Sequence, residues 1–350
     1  MNKFKLTRKF NDGDKIYSTD NTILIKFRNK RNGIITSLVN GGYSEDFQAV
    51  FNHQLSQKNI DENESGEVDI NVYLNRLTKN LADEFNLNEE NISGLITSAK
   101  MKNAGIAVER FRKLEVVAIS TAGTNVNAVA AGDPAGYYEE NGEFDLEIGT
   151  INTIILINAR LNESCLLQAE MTATEAKTVA LRELIVPSRY SSKVATGTGT
   201  DGIAIFSEPN SENHLSNAGK HSKLGELIAK SVIKSIKESL VKQIWLTPTY
   251  QSNALIRLSR YDVDINEFYN DIPDKEEFLI ELRKANRDSE LVGYVSLILH
   301  VLDQYQNGLV TEKTAEKIID SIFKNQISKP EWSSMKKLVN HIVKVYLNKK

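Results

Sequence analysis

The residues with chemical capacity in this chain gather in three short stretches. VATGTGTDGIAIF (194–206) sets Thr196, Gly197, Thr198, Gly199 and Thr200 ahead of one carboxylate, Asp201. AGKHSK (218–223) offers Lys220, His221 and Ser222 at a helix start, and TATEAK (172–177) sets Glu175 and Lys177 beside Thr172 and Thr174. A phosphate loop needs GxxxxGK[ST] with its lysine at the head of a helix. TGTGTD has no such lysine and leads into a strand, and no glycine stands five residues ahead of Gly219, so that motif fails on spacing. A plain tight turn also suits TGTGTD, because glycine permits positive φ and threonine tolerates extended backbone. The other chemistry in reach is hydrolysis. A carboxylate, a histidine and a lysine in one crevice suffice for general acid–base catalysis.

Such residues matter only if the fold brings them together, and their places at element ends suggest that it does. Asp201 stands where loop becomes strand, Asp133 just beyond a strand, and Thr150 and Asn152 at the opening of another. Edges of this kind converge on crevices in α/β layers. The bland alternatives are solvated face positions for Glu175 and Lys177 and a capping role for His221.

The elements read as follows. NTILIKF (21–27) and NGIITSLV (32–39) are strand-like, with RNKRNG as a charged turn between them. SEDFQAVFNHQL (44–55) starts like a helix, with Ser44 as cap and Glu45 and Asp46 in the first turn. SQKNIDENESGE (56–67) reads as an exposed loop, and DINVYLNRLTKNLADEF (69–85) as an amphipathic helix. GIAVERF (105–111) and LEVVAISTA (114–122) are strands; GTINTIILINA (149–159) is a strand apolar enough for burial on both faces. The helix 162–184 carries Ala169, Ala173, Ala176, Ala180 and Leu184 along one stripe, suited to close packing on a sheet. Strand, helix, strand, helix from 149 to 243 predicts an α/β (or α+β) layered catalytic core over 1–245. Residues 246–350 show only helical patterns and predict an all-helical C-terminal domain.

Composition narrows the classes. With 41% hydrophobic and 25% charged residues, the 350-residue chain is ordinary for a globular protein. A net charge of -3 gives no basic field for nucleic acid or anionic membrane. No apolar run approaches the ~18 residues of a membrane span, and the N-terminus lacks a signal-peptide core, so a cytoplasmic location is expected. The single cysteine, Cys165, excludes an internal disulfide and any CxxC motif. It opens a helix, where a thiolate is favoured, although an inert buried thiol is the commoner outcome. His53, His214, His300 and His341 form no HxH or HExxH spacing. Asp133, Glu175, Asp201 and His221 are the groups that a divalent metal would use, but no ligand spacing demands one.

The ordered segments NGGY with FNHQL, STAGTNVNAVAAGD, GTINTIILIN, TATEAKTVALREL, ATGTGTDGIAIF and AGKHSKLGELI resemble the adenosylcobinamide amidohydrolase family of corrinoid salvage. The resemblance spans about residues 20–240. It implies hydrolysis of the amide that joins the corrin propionate arm to aminopropanol, with a cobalt corrinoid as substrate and no certain cofactor. It implies Asp201 or Glu175 as base, His221 as base or acid, and Lys177 or Lys220 as oxyanion partner or acid to the leaving amine. Asn40, Gly41, Gly42, Asn127, Asp133, Thr150, Asn152, Thr196, Gly197, Thr198, Gly199, Thr200, Lys220 and Ser222 are the implied substrate contacts. Two rivals remain: a corrinoid carrier or sensor without turnover, and a nucleotide- or phosphate-binding enzyme using 196–201 and 218–222. The helical tail lies outside the resemblance; self-association into a homo-oligomer, a cover for the corrinoid, contact with another salvage enzyme and a stabilising appendage are the roles open to it.

Overall fold

The structure, a computed structural model, describes residues 3–10, 12–55, 69–136, 138, 150–261, 265–270 and 272–348. The chain divides into two compact units, Met1–Val186 with Ala195–Leu246, and Pro187–Val194 with Thr247–Lys350.

The first unit is built on a curled, nine-stranded mixed sheet. Its first strands are β1 (Lys5–Lys9), β2 (Lys15–Ser18), β3 (Thr22–Ile35), β4 (Gly42–Gln54), β5 (Ile92–Thr97), β6 (Gly105–Phe111) and β7 (Leu114–Ala122). After the short β8 (Ala128–Val129) come β9 (Ile151–Ile157), β10 (Arg160–Leu161), β11 (Gly197–Thr198), β12 (Gly202–Ser207) and β13 (His214–Leu215). The order β1-β2-β3-β12-β9-β7-β6 runs through the sheet, and β4 joins β3 to β5. β9 with β12 and β4 with β5 are parallel; the other pairings in this sheet are antiparallel. The inner side of the curl is filled by Ile25, Val50, Leu95, Ile119, Ile154 and Phe206. Each such side chain, fully buried, is worth about 1.5–3 kcal/mol.

Three helices cover the outer side: α1 (Ile70–Phe85), α2 (Glu163–Glu183) and α3 (Lys223–Ile244). α1 packs Leu74 and Leu81 against Ala49 and Phe51 of β4. α2 is the crossover between parallel β9 and β12, as the alternating pattern requires. It starts at Asn162, whose side chain accepts from Cys165 N at 2.8 Å. Its stripe of Ala169, Ala173, Ala176 and Ala180 is buried with Leu184 against Ile155, Ile157 and Ile205. β9 is buried at every position, as its continuous apolar run predicts.

Two expectations fail in the first sixty residues. RNKRNG is not a turn, because β3 runs unbroken through it for 14 residues. Arg28, Asn29 and Lys30 face solvent across a register shift, while Arg31 is fully buried and bonds Asp12 at 2.5 Å and Asp14 at 2.7 Å. Charge therefore marks a register shift within an interior strand and an internal ion cluster rather than a reversal. SEDFQAVFNHQL is not a helix but most of β4, so Ser44 caps nothing helical and His53 sits on a strand. The reversal lies just ahead of it: Asn40 (φ 47) and Gly42 (φ 93) take left-handed backbone and return the chain to pair Gly42 with Ile35. Once paired on both sides, residues 49–53 gain more as a buried central strand than helical caps could supply. The 56–67 segment lies outside the described residues.

The second unit is helical, with α4 (Pro248–Gln251), α5 (Ala254–Leu258), α6 (Ile265–Asn270), α7 (Lys275–Ala285), α8 (Ser289–Gln306), α9 (Glu312–Asn325) and α10 (Ser333–Asn348). Leu291, Val295, Ile298, Leu302, Trp332 and Val339 centre its core. It also includes the 187–194 excursion, closed by a Pro187–Val194 bridge. Arg260 forks onto Asp303 at 2.9 and 2.6 Å and donates to Ser192 O at 2.8 Å.

Candidate functional site

Asp201 is the most heavily bonded of the expected residues. Its carboxylate accepts from Thr198 N at 3.1 Å to both oxygens, Thr198 Oγ1 at 2.6 Å and Ile151 N at 3.2 Å. Lys177 Nζ donates to its Oδ2. The two side chains are 17% and 15% exposed, so the pair is shielded but reachable. Lys177 arrives from α2 and Asp201 from the loop before β12.

That loop is held on every side, which explains its composition. β11 pairs with β8 through Gly197–Val129 and Thr198–Ala128. Asn127 Oδ1 accepts from Gly199 N at 2.8 Å, and Thr150 Oγ1 donates to Thr200 O. Thr196 Oγ1 accepts from Ala131 N at 2.9 Å, and Asp133 Oδ2 accepts from Ala130 N at 3.0 Å. A Cβ at Gly197 would stand 2.1 Å from Asp201 Oδ2 and 3.1 Å from Lys177 Nζ, so the ion pair needs a glycine there. Thr198 N and Gly199 N are spent on Asp201 and Asn127, so these two amides are not free to cradle a phosphate.

The Lys177–Asp201 pair opens on a cleft of about 210 Å³, lined also by Thr36, Thr153, Glu170, Thr174 and Ile203. It lies at the amino-terminal ends of parallel β9 and β12, opposite to the carboxyl-end crevice of open parallel sheets. Beneath it, buried Asn152 donates to Asn52 Oδ1 at 2.9 Å and Ile96 O at 2.8 Å, and Asn52 donates to Thr121 Oγ1 at 2.8 Å. This polar chain fixes the end of β9 against β5 and β7.

The remaining expected residues lie elsewhere. Glu175, two positions from Lys177, falls on a different side of α2. It pairs with Lys220 at 2.7 and 2.5 Å, with both side chains at least half exposed. His221 is exposed at the entry to α3 and makes no side-chain hydrogen bond among the described residues. Ser222 caps α3, accepting from Gly225 N at 2.9 Å. Asn40 donates to Glu89 O at 2.9 Å and Ile92 O at 2.8 Å, and Gly41 lies close against Ser37 O. Asn40, Gly41 and Gly42 thus build the β3–β4 reversal and do not line the cleft. Glu170, Thr36 and Thr153 line it without having been singled out. Glu170 was findable, lying one helical turn before Thr174 and two before Lys177; Thr36 had no local signal.

Two other groups are set by burial. Cys165 is fully buried, and burial pushes its thiol up to about 11. His53 is pushed down to about 4 by burial, and bridges Thr22 Oγ1 and Tyr73 OH at 2.8 Å each. Among the described residues no three His, Cys, Asp or Glu side chains gather as metal ligands, and no helix is long and apolar enough to cross a membrane.

Residues 7–248 match the family model described as Adenosylcobinamide amidohydrolase. The chain belongs to this family. An uncharacterised protein of Methanocaldococcus jannaschii is 35% identical over 235 residues, covering 63% of this chain and 86% of that protein. A Methanosarcina mazei protein named adenosylcobinamide amidohydrolase is 37% identical over 106 residues, 28% of this chain and 50% of that protein. A crystal structure of a Pyrococcus horikoshii protein aligns with TM-score 0.37 and 16% identity over 69% of this chain and 83% of its own, too loose a likeness to bear on fold or chemistry. The family match ends at the start of the helical unit, and it contains every residue of the cleft.

Proposed function

We propose that this chain is a cytoplasmic hydrolase of corrinoid salvage. It cleaves the amide of adenosylcobinamide to give adenosylcobyric acid and 1-aminopropan-2-ol. The observation that carries this reading is the Lys177–Asp201 pair at the mouth of a polar cleft, within a chain of the adenosylcobinamide amidohydrolase family.

Amide hydrolysis needs a deprotonated water, charge stabilisation at the carbonyl oxygen and a proton for the leaving amine. Asp201 takes a proton from the attacking water as the new carbon–oxygen bond forms. Lys177, pointing at the same carboxylate, stands where it can offset the developing oxyanion. As the carbon–nitrogen bond breaks, the proton held by the pair passes to the amine, leaving a carboxylate and an ammonium. Glu175, Lys220 and His221, facing solvent beyond the cleft lining, act on charge and access around this centre and not on the reacting atoms.

Turnover in heavy-oxygen water tests the bond order. The account expects one labelled oxygen in the new carboxylate and none in aminopropanol. Labelled propane-1,2-diol beside an unlabelled corrin amide, or binding without products, would replace the hydrolase by another reaction or by a corrinoid carrier. Full activity after exhaustive chelation is the expected result for a centre made of Asp201 and Lys177 alone.

A further inference from the structure

We propose that Leu167 and Met171, on the exposed side of α2, form the shelf on which the corrin macrocycle rests while its amide arm enters the cleft. This inference rests on the amidase reading above. Glu170, Thr174 and Lys177 of α2 line the cleft. Leu167 precedes Glu170 by three positions and Met171 precedes Thr174 by three, so helical spacing makes each a surface neighbour of a lining residue. Leu167 and Met171 also stand four apart, on one face with each other.

Both side chains are 60% exposed, whereas the opposite stripe of Ala169, Ala173, Ala176 and Ala180 is buried on the sheet. Single exposed apolar residues are common and need no explanation. What distinguishes this pair is its register with the polar cleft. The cleft, about 210 Å³, is smaller than the roughly 300–1,000 Å³ that encloses an ordinary small ligand. A corrin ring is larger still, so it stays outside when its arm is inside. The arm is a short propionamide, which keeps the ring at the cleft mouth, against the adjoining helix face. A leucine and an adaptable thioether present apolar surface to the methyl-bearing ring edge, while its amide fringe reaches solvent.

Leu167→Ser and Met171→Ser, singly and together, leave the buried stripe untouched and should not lower Tm. The double variant should raise KM for adenosylcobinamide by about tenfold, with a smaller change in kcat. A matching loss of affinity should appear in titration of the corrinoid's visible absorbance. Leu167→Ile with Met171→Leu should restore KM, as a shelf of apolar area requires. An unchanged KM in the double serine variant, with wild-type turnover present, overturns the shelf and leaves the amidase reading intact. Conversion of a self-associated protein to monomer at unchanged KM assigns the face to a second copy and also overturns it. A wild-type protein that neither binds nor hydrolyses adenosylcobinamide overturns the amidase reading and the shelf with it.

Discussion

On the proposed reading, Asp201 and Lys177 do the chemistry and the residues around them hold the pair in place. The carboxylate takes bonds from a hydroxyl, two backbone amides and an ammonium, so its position is over-determined. Asp201→Asn keeps the shape, removes the base and turns one accepting oxygen into an N–H2 facing donors; kcat should fall by about 10²–10⁴, and stability should fall by about 1–3 kcal/mol. Lys177→Met should lower kcat by a comparable factor, and the double variant should be no worse than the worse single, since paired groups act as one unit. Steady-state assays beside thermal melts check both. Cys165 should be inert in the native protein. Its buried, high-pKa thiol should react with a thiol reagent only as fast as the chain unfolds. Rapid labelling at neutral pH would contradict its burial. Of these residues, the sequence singled out Asp201 by its type and its place where loop becomes strand, and Lys177 by its type within an alanine-rich helix. It could not tell which of Lys177, Glu175 and His221 stands beside Asp201, because a two-residue step along α2 or a side chain's exposure is decided only by packing.

At the scale of elements, the site depends on a loop with no room to spare. Gly197→Ala would drive a methyl into Asp201 Oδ2 and toward Lys177. It should cost about 1–3 kcal/mol of stability and most of the activity. Gly293→Ala, on the exposed side of α8 with no atom near the added carbon, should instead stabilise by about 0.5–1 kcal/mol. Urea midpoints of the two variants should move in opposite directions. Elements with one dominant period were legible in advance: α2 through its alanine stripe, β9 through its continuous apolar run, and α8 and α10 through helical spacing. The β3–β4 pair was not. A charged stretch looked like a turn because the partners of Arg31, Asp12 and Asp14, lie in the connection between β1 and β2, and a strand looked like a helix because a serine and two acids imitate a cap. Each misreading was local chemistry overridden by pairing partners distant in sequence.

For the whole molecule, two buried titrations pull stability in opposite directions. Burial pushes Asp14 up to about 6 from 3.8, so the native state binds the extra proton and stability falls as pH rises from about 4 to 6. Burial pushes His53 down to about 4 from 6.5, so the unfolded state binds the extra proton and stability rises over nearly the same window. Each is worth up to about 3 kcal/mol, so in the wild type these two contributions should largely cancel there. His53→Asn should unmask a decline between pH 4 and 6, and Asp14→Asn a rise; parallel profiles would refute the compensation. The helices after about 245 were legible in the sequence, but the grouping of residues 187–194 with them was not, since that excursion carries no helical pattern of its own. Arg260 reaches it through a backbone carbonyl, which no side-chain signal announces.

The most direct test of the central claim is to incubate wild type and Asp201→Asn with adenosylcobinamide and follow both products by mass spectrometry. The account predicts adenosylcobyric acid and 1-aminopropan-2-ol in equal amounts from wild type, and at most a trace from the folded variant. Unconsumed adenosylcobinamide with wild type, or equal product from the variant, would contradict it.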